Sequence, residues 1–595
     1  MSKLALLSVY DKTNIVQLAD FLINKDFIIL STGGTAKHLI KNKINVTNIS
    51  DYTEYPEILN GRVKTLHPKI YGGILNIRDN KEHQDEINRL NIKNIDVIAV
   101  NLYPFEETIK KDPLNKELCI ENIDIGGVSL LRAAAKNYND VIILSQPKQY
   151  DIFMRNFNTF FFKKTTNNIF KKNFALDAFQ ITSLYDNMIW NWLNNNKSVN
   201  KKYFPMYNLK YGCNPHQKDA NLWMSYDNNL PFSILNGMPG YINILDALNS
   251  WCLVTEIKMS LNMDAATSFK HTSPAGVGLG TNFTNQEKFF YKIKNMDNIS
   301  NIAIAYLRAR NCDPKSSFGD FIAVNKKVDI SLAKIIKKCV SDGIIAPDYD
   351  QNAFDLLKTK KKGKYIILKG YEKNILNDTI EFREYKNIIL SQNTNNYLIT
   401  KKDLQYITTI KNDIPDNIIN DMILSLITLK YTQSNSVGYA YQGQMIGIGA
   451  GQQSRIDCVQ LARKKAETWY LRRHHKILSF QFKPRIKKQE KINLVIQYID
   501  DDFTDIEYNN WKKSFINIPK QMSKNDREQY IKTIENVTLA SDGFFPFRDS
   551  IDKASKINVK YVVQPGGSIA DKEIIKACNE YNMCMVHTNI RLFHH

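Results

Sequence analysis

The chain has 595 residues, 43% of them hydrophobic and 24% charged, with a formal net charge of +20 at pH 7. Those proportions lie near globular averages, which excludes a wholly disordered chain, and the length is ample for several domains around buried cores. No stretch reaches the roughly eighteen consecutive apolar residues of a membrane span, so the sequence is expected to act away from the membrane.

In chain order, Leu4-Ala-Leu-Leu-Ser-Val9 is too short for a secretory core and reads as a first strand. Ile15–Leu22 then reads as a helix, Phe27–Leu30 as a strand and Thr35–Ile40 as a helix. Val97–Val100 and Val141–Leu144 are further strands, with Leu130–Lys136 helical before the last. This βαβ punctuation argues for a parallel sheet. Between the second strand and its helix stands Ser31-Thr32-Gly33-Gly34-Thr35. Two glycines free the backbone to turn N–H groups toward an anion, hydroxyls add donors, and a helix N-terminus adds a favourable dipole. The stretch is a candidate phosphate cradle, or else an ordinary strand-to-helix turn, and it matches neither a Walker A loop nor G-x-G-x-x-G. Periodicity fails over Trp190–Lys202, where the main boundary is placed, giving domains 1–198 and 199–595. Beyond it, Ile302–Leu307, Phe321–Val324 and Gly343–Ala346 read as buried strands. A polar region from about 350 to 400 follows. The strand pair Ser436–Tyr441 and Met445–Gly449 precedes a charged helical region from 459 to 535. Tyr561–Val563 and Met583–Val586 end the chain as strands, and no short-period repeat is visible.

The positive excess admits two explanations, an anionic partner or a lysine-rich coding bias. Many lysines sit among asparagine and isoleucine, as in Lys163-Lys-Thr-Thr-Asn-Asn168, or in runs such as Lys358-Thr-Lys-Lys-Lys-Gly363. That distribution favours bias, and no RNA- or DNA-binding module signature accompanies it, so no nucleic-acid partner is expected. The eight cysteines form no C-x-x-C pair and read as reduced thiols of a cytoplasmic protein, and without H-E-x-x-H no transition metal is expected.

Two constellations carry chemistry. Near the N-terminus, Gly61-Arg62-Val-Lys64-Thr65-Leu-His-Pro68 is followed by Asn101-Leu-Tyr103-Pro104, Asp124-Ile-Gly126-Gly127 and Lys136. The first reads equally as a charged turn, and Lys136 as a cation at a helix C-terminus. In the larger part, Ser268-Phe-Lys270-His271-Thr-Ser-Pro-Ala-Gly276 sets an ammonium beside an imidazole able to accept a proton near neutrality. Around it lie Lys210-Tyr211-Gly-Cys-Asn-Pro-His-Gln217, Tyr431-Thr-Gln-Ser-Asn435, Gly447–Arg455, Ser541–Asp549 with Phe544 and Phe545, and Arg591-Leu-Phe-His-His595.

Over essentially its whole length this ordered set resembles the bifunctional purine-biosynthesis family that formylates aminoimidazole carboxamide ribonucleotide (AICAR) and closes the product to inosine monophosphate (IMP). The resemblance implies an α/β protein. An N-terminal methylglyoxal-synthase-like domain would close the ring, and a larger, duplicated cytidine-deaminase-like region would transfer the formyl group. It assigns Lys64, Tyr103, Asp124 and Lys136 to cyclisation. Lys12, Ser31 through Thr35 and Arg62 would hold the 5′-phosphate, with Thr65, Asn101, Gly126 and Gly127 completing that site. It makes His271 the base and Lys270 the oxyanion partner in formyl transfer, with Asn435 orienting the formyl group. Lys210, Tyr211, Arg455, Phe544, Phe545, Asp549, Arg591 and His595 would bind AICAR and folate. Implied partners are AICAR, formyl-AICAR, IMP and 10-formyltetrahydrofolate as co-substrate. A homodimer is also implied, and a monovalent cation is allowed for. The deaminase zinc signature is missing, in keeping with transfer to an amine instead of metal-assisted hydrolysis. Three departures stand out: Tyr10 and Thr32 where the family also has serine, and Lys210 where it has arginine.

Overall fold

Five runs of aliphatic and β-branched residues build the first sheet: β1 (Lys3–Val9), β2 (Phe27–Ser31), β3 (Thr47–Asn48), β4 (Ile95–Asn101) and β5 (Ile142–Leu144). They pair in parallel in the order β3-β2-β1-β4-β5. Leu4–Leu7, Val97–Val100 and Ile142–Leu144 are buried without alternation, as parallel strands covered on both faces must be. The chain steps outward from β1 to β3 and then returns to the other side of β1 with β4. That reversal leaves a crevice at the carboxyl ends of β1 and β4, where α/β sheets bind ligands.

This computed structural model describes residues 3–112, 115–162, 164–195, 203–225, 230–291, 299–372 and 380–595. The chain divides into two units, Met1–Lys201 and Lys202–His595. The boundary expected at 198/199 falls among residues 196–202, outside the described residues.

The second unit opens with an antiparallel pair, β6 (Tyr203–Asn208) and β7 (Asn221–Ser225). A six-stranded sheet follows from β8 (Phe232–Asn236), β9 (Ala265–Lys270), β10 (Ser273–Leu279), β11 (Asp320–Val324), β12 (Ser341–Ala346) and β13 (Ile366–Gly370), in the order β10-β9-β11-β12-β13-β8. After an exposed hairpin, β14 (Ile380–Tyr385) and β15 (Ile388–Asn393), comes a five-stranded sheet. Its strands are β16 (Val437–Ala440), β17 (Met445–Gly449), β18 (Val537–Ser541), β19 (Val559–Gln564) and β20 (Cys584–His587), in the order β17-β16-β18-β19-β20.

The two larger sheets share one plan. Each begins with an antiparallel edge hairpin, β9–β10 or β16–β17, whose first strand pairs antiparallel with the next, β11 or β18. Two parallel strands then extend the sheet, β12 and β13 or β19 and β20. A helix leads into each hairpin, Tyr241–Leu261 or Asp416–Lys430, and another follows it, Asn301–Cys312 or Arg455–Leu471. Within the unit the β10 residue Leu279 donates its N–H to Gly443 O at 2.7 Å, joining one hairpin to the other.

One expected strand is a helix. Ile302–Leu307 belongs to Asn301–Cys312, which buries residues on nearly every side and so has no polar face to reveal the 3.6-residue period. It lies so close to β10 that a Cβ on Gly276 would fall 2.1 Å from Ala309 O. The region from 350 to 400 also holds β13, whose Ile366-Ile-Leu368 run is short enough to pass for polar surroundings. The charged region after 459 is helical, with Lys488–Asp500, Asp505–Trp511 and Lys524–Ile531 among its elements.

Candidate functional site

At the carboxyl ends of β1, β2 and β4 the first unit opens into a cavity of about 740 Å3. Its floor is the turn Thr32-Gly33-Gly34-Thr35, where the helix Gly33–Lys41 begins and leaves its first amides without intrahelical acceptors. Gly33 adopts φ +44°, which favours glycine, and a Cβ there would lie 3.5 Å from Lys64 Nζ. The Lys64 ammonium therefore stands over the positive end of this helix, two features that together attract an anion. Asn101 fixes the neighbouring loop: its Oδ1 accepts from Tyr10 N (2.6 Å) and Asp11 N (2.9 Å), and its Nδ2 donates to Asp11 O (3.0 Å). Lys12 Nζ donates back to Tyr10 O at 3.0 Å, and burial holds its pKa below the usual lysine value.

The opposite wall is Asp124-Ile-Gly126-Gly127. Asp124 Oδ1 accepts from Gly127 N at 2.7 Å, and a Cβ on Gly127 would meet that carboxylate at 2.4 Å. Burial pushes the Asp124 pKa up, opposed by the backbone donors of Gly127 and Tyr103. Tyr103, also raised chiefly by burial and then by the Asp124 and Glu57 charges, sets its ring edge-on to Tyr10 with centroids 5.6 Å apart. Thr65 is buried against Gly126, and Arg62 at the rim pairs with Glu121.

Two expected residues lie elsewhere. Ser31 is fully buried and its hydroxyl donates to Leu7 O at 2.6 Å, so it closes the sheet and leaves the cradle to residues 32–35. Lys136 is exposed at the far end of the Gly126–Lys136 helix, roughly 15 Å along the axis from the glycines that line the cavity. Conversely, Asn60, Glu121 and Asn122 line the cavity without having been singled out. Glu121 and Asn122 directly precede the Asp124 motif, which was the available signal.

In the second unit, Lys270 ends β9 and His271 and Thr272 form the two-residue turn to β10. Lys270 Nζ donates to Phe318 O at 2.7 Å, and His271 is exposed. Lys210 and Tyr211 sit at the start of the Tyr241–Leu261 helix, where Lys210 N donates to Pro239 O (3.1 Å) and Tyr241 N to Tyr211 O (3.1 Å). The Lys210 ammonium lies 5.5 Å from the Tyr211 ring centroid.

A second cluster forms before β16. Asn435 Nδ2 donates to Gln452 O (2.9 Å) and Gln453 O (3.1 Å), while its Oδ1 accepts from Arg455 Nη2 (2.9 Å). Arg455 is 7% exposed, pairs with the fully buried Asp542 and donates to Ser436 O at 3.0 Å. Its guanidinium is thus spent on holding Asn435 and the strand end, and it is not a free anion ligand. The C-terminal arm docks here through Ser434 N to His594 O (2.9 Å), His594 N to Ser434 Oγ (3.1 Å) and Leu592 N to Asp542 O (2.9 Å). Docking leaves Arg591 exposed over the Phe593 ring at 4.7 Å and His595 at the surface beside it. Phe544 is 44% exposed and available to a flat ligand, and Asp549 is half-buried at the head of the next helix. Phe545 is instead fully buried in the core, its N–H given to Gln564 Oε1 at 2.7 Å. Asp542 escaped notice although it sits within Ser541–Asp549. Asp246, one of two acids on the Tyr241–Leu261 helix, belongs to no motif and gave no sequence signal.

The described residues contain no helix long and apolar enough to cross a membrane, and no group of three or more His, Cys, Asp or Glu able to hold a metal ion. A family model described as an MGS-like domain matches residues 14–129, and one described as AICARFT/IMPCHase bienzyme matches residues 134–465. The chain is 34% identical over its full length to the full length of the bifunctional purine biosynthesis protein PurH of Persephonella marina. It is likewise 34% identical to that of Caldicellulosiruptor saccharolyticus and 33% to that of Clostridium perfringens, again with both chains covered completely. With a family model spanning more than half of its residues and full-length relatives above 30% identity, the chain belongs to the AICARFT/IMPCHase bienzyme family.

Proposed function

We propose that the cavity of the first unit closes formyl-AICAR to IMP and that the second unit makes formyl-AICAR from AICAR and 10-formyltetrahydrofolate. As a member of its family the protein is a bifunctional formyltransferase and cyclohydrolase, carrying out the last two steps of IMP synthesis. The observation that carries the division of labour is the Lys64 ammonium set over the Gly33–Lys41 helix N-terminus in a closed-in crevice. In ring closure the carboxamide nitrogen attacks the formyl carbon and loses one proton. The formyl oxygen leaves as water after taking that proton and the one from the formamide nitrogen. Lys64 steadies the developing oxyanion, where a well-placed donor contributes roughly 3–4 kcal/mol. Tyr103 and Asp124 organise the protons, while residues 32–35 and Lys12 hold the phosphate. A role for Lys136 needs a second copy of the chain to bring it to Lys64, in keeping with a homodimer.

In formyl transfer the AICAR amine attacks the formyl carbon, His271 takes its proton, and Lys270 steadies the tetrahedral oxyanion. The folate nitrogen then departs with a proton. Asn435, clamped by Arg455, orients the formyl oxygen by exchanging its longer bond to Gln453 O for it, Arg591 and Lys210 meet the phosphate, and Phe544 faces the pterin. The eight free cysteines suit a reducing cytoplasm. Incubation with AICAR and 10-formyltetrahydrofolate is expected to yield IMP, as is incubation with formyl-AICAR alone. Absence of product from both overturns the assignment.

A further inference from the structure

The turn that presents Lys270 and His271 is built from the wrong residues for its shape. Lys270 pairs with Ser273, so His271 and Thr272 form a two-residue hairpin loop, with φ 52° and 59°. Two positive φ values in succession define the turn that Asn-Gly favours, and a β-branched residue at the second position is an outlier. Within the turn Thr272 Oγ1 donates to His271 O at 2.7 Å, and a second bond comes from outside it. Asp246 Oδ1 accepts the Thr272 N–H at 2.7 Å, reaching across from the helix Tyr241–Leu261, and the Asp246 side chain is buried.

The second repeat contains the same device without the strain. There Tyr441 N bonds to Gln444 O, closing a two-residue turn at Gln442 and Gly443 with φ 50° and 77°. Asp421 Oδ1 accepts the Gly443 N–H at 2.7 Å. Asp246 is the sixth residue of its helix and Asp421 the sixth of the equivalent helix, and each holds the second residue of its own hairpin turn. In the second repeat that residue is glycine, which takes the conformation freely. In the first it is Thr272, whose N–H is given to the Asp246 carboxylate.

We infer that Asp246 is a positioning residue for formyl transfer: it holds the His271–Thr272 turn in the left-handed shape that sets Lys270 and His271 side by side toward the substrate. The inference rests on the reading that this turn performs the transfer. The charges facing Asp246 are Lys270, which favours the carboxylate, and Asp342, which opposes it; burial, reinforced by Asp342, outweighs the Thr272 N–H and Lys270 and pushes its pKa up to about 6. At neutral pH the group is therefore ionised and at full strength as an acceptor.

The test compares Asp246→Ala, Asp246→Asn, Asp421→Ala and His271→Ala in the full-length protein. Readouts are kcat and KM for AICAR in formyl transfer, cyclisation of supplied formyl-AICAR, and hydrogen exchange of the peptide spanning residues 268–276. Asp246→Ala is expected to lower kcat about 30- to 100-fold, with KM within threefold, cyclisation unchanged and exchange of that peptide accelerated. Asp246→Asn keeps an acceptor oxygen and is expected to recover kcat to within three- to tenfold of wild type. Asp421→Ala is expected to weaken the fold while leaving kcat of the folded protein within twofold. Wild-type kcat for Asp246→Ala, beside a His271→Ala protein that has lost transfer, overturns the inference alone. Retained transfer in His271→Ala overturns the underlying reading instead. Should Asp246→Ala not fold, Asp246→Asn decides: kcat lowered three- to tenfold at unchanged KM, with faster exchange of residues 268–276, supports the role, and wild-type kcat despite that faster exchange removes it.

Discussion

The two sites reach their electrostatics by different routes. In the first unit the architecture supplies them: parallel strands end together, a helix starts beneath them, and Lys64 needs only to stand over the Gly33 turn. In the second unit the proposed reactive pair sits at the turn of a buried hairpin, in a shape that the turn's own residues disfavour, and buried partners from other elements restrain the scaffold. Asn435 is held in the same way, by an arginine that is itself neutralised by Asp542. A cradle made by backbone and a helix end depends little on the identity of its side chains. A site made by cross-braces is sensitive to residues that never touch the substrate.

Breaking each site alone sharpens that contrast. His271→Ala is expected to lower formyl transfer by about two to four orders of magnitude, the range for a lost general base, while cyclisation of supplied formyl-AICAR persists. Loss of both activities in a folded variant would deny the separation. Lys64→Ala is expected to slow cyclisation by about two to three orders of magnitude, with formyl-AICAR accumulating from AICAR and the folate. Unchanged IMP output would remove Lys64 from the chemistry. Arg591→Ala, which takes an exposed cation from the C-terminal arm, is expected to weaken AICAR binding by about 1.5–3 kcal/mol, measurable by titration. Normal affinity would mean that the phosphate lies elsewhere.

The last change concerns stability and leaves both activities in place. Burial pushes the Asp421 pKa up to about 7, against about 3.9 for an unfolded aspartate. Between those values the folded protein holds a proton that the unfolded chain has released, so this group's contribution to stability falls as pH rises from about 4 to about 7. Asp421→Asn removes the titration, and its Tm is expected to drop less than that of the wild type between pH 5 and pH 8. Parallel Tm curves would show that Asp421 does not titrate there.

Much of the first unit was legible because parallel strands between helices write their period plainly, and its motifs lie at strand ends. Gly126 and Gly127 mark close approach, while Gly33 marks a backbone turn with positive φ. What stayed hidden was orientation and partnership. Ser31 and Thr32 are neighbours, yet strand alternation turns one into the sheet and leaves the other lining the cavity. Phe544 and Phe545 divide between surface and core in the same way. Arg455 advertised a charge that Asp542 had already taken. Asp246 and Asp421 each share a helix with one other acid, Glu256 or Asp416, and belong to no motif, and only the duplicated topology explains both. The Asn301–Cys312 helix shows the limit of periodicity, since burial on most sides erases the pattern that distinguishes helix from strand.

The most direct test of two separable sites mixes the two disabled proteins. His271→Ala and Lys64→Ala are each supplied with AICAR and 10-formyltetrahydrofolate, separately and then together, and IMP is followed by chromatography. Each alone should make almost none, and the mixture should restore it, because formyl-AICAR released by the Lys64 variant is closed by the other protein. A mixture as inactive as its components, with both proteins folded, would contradict the account.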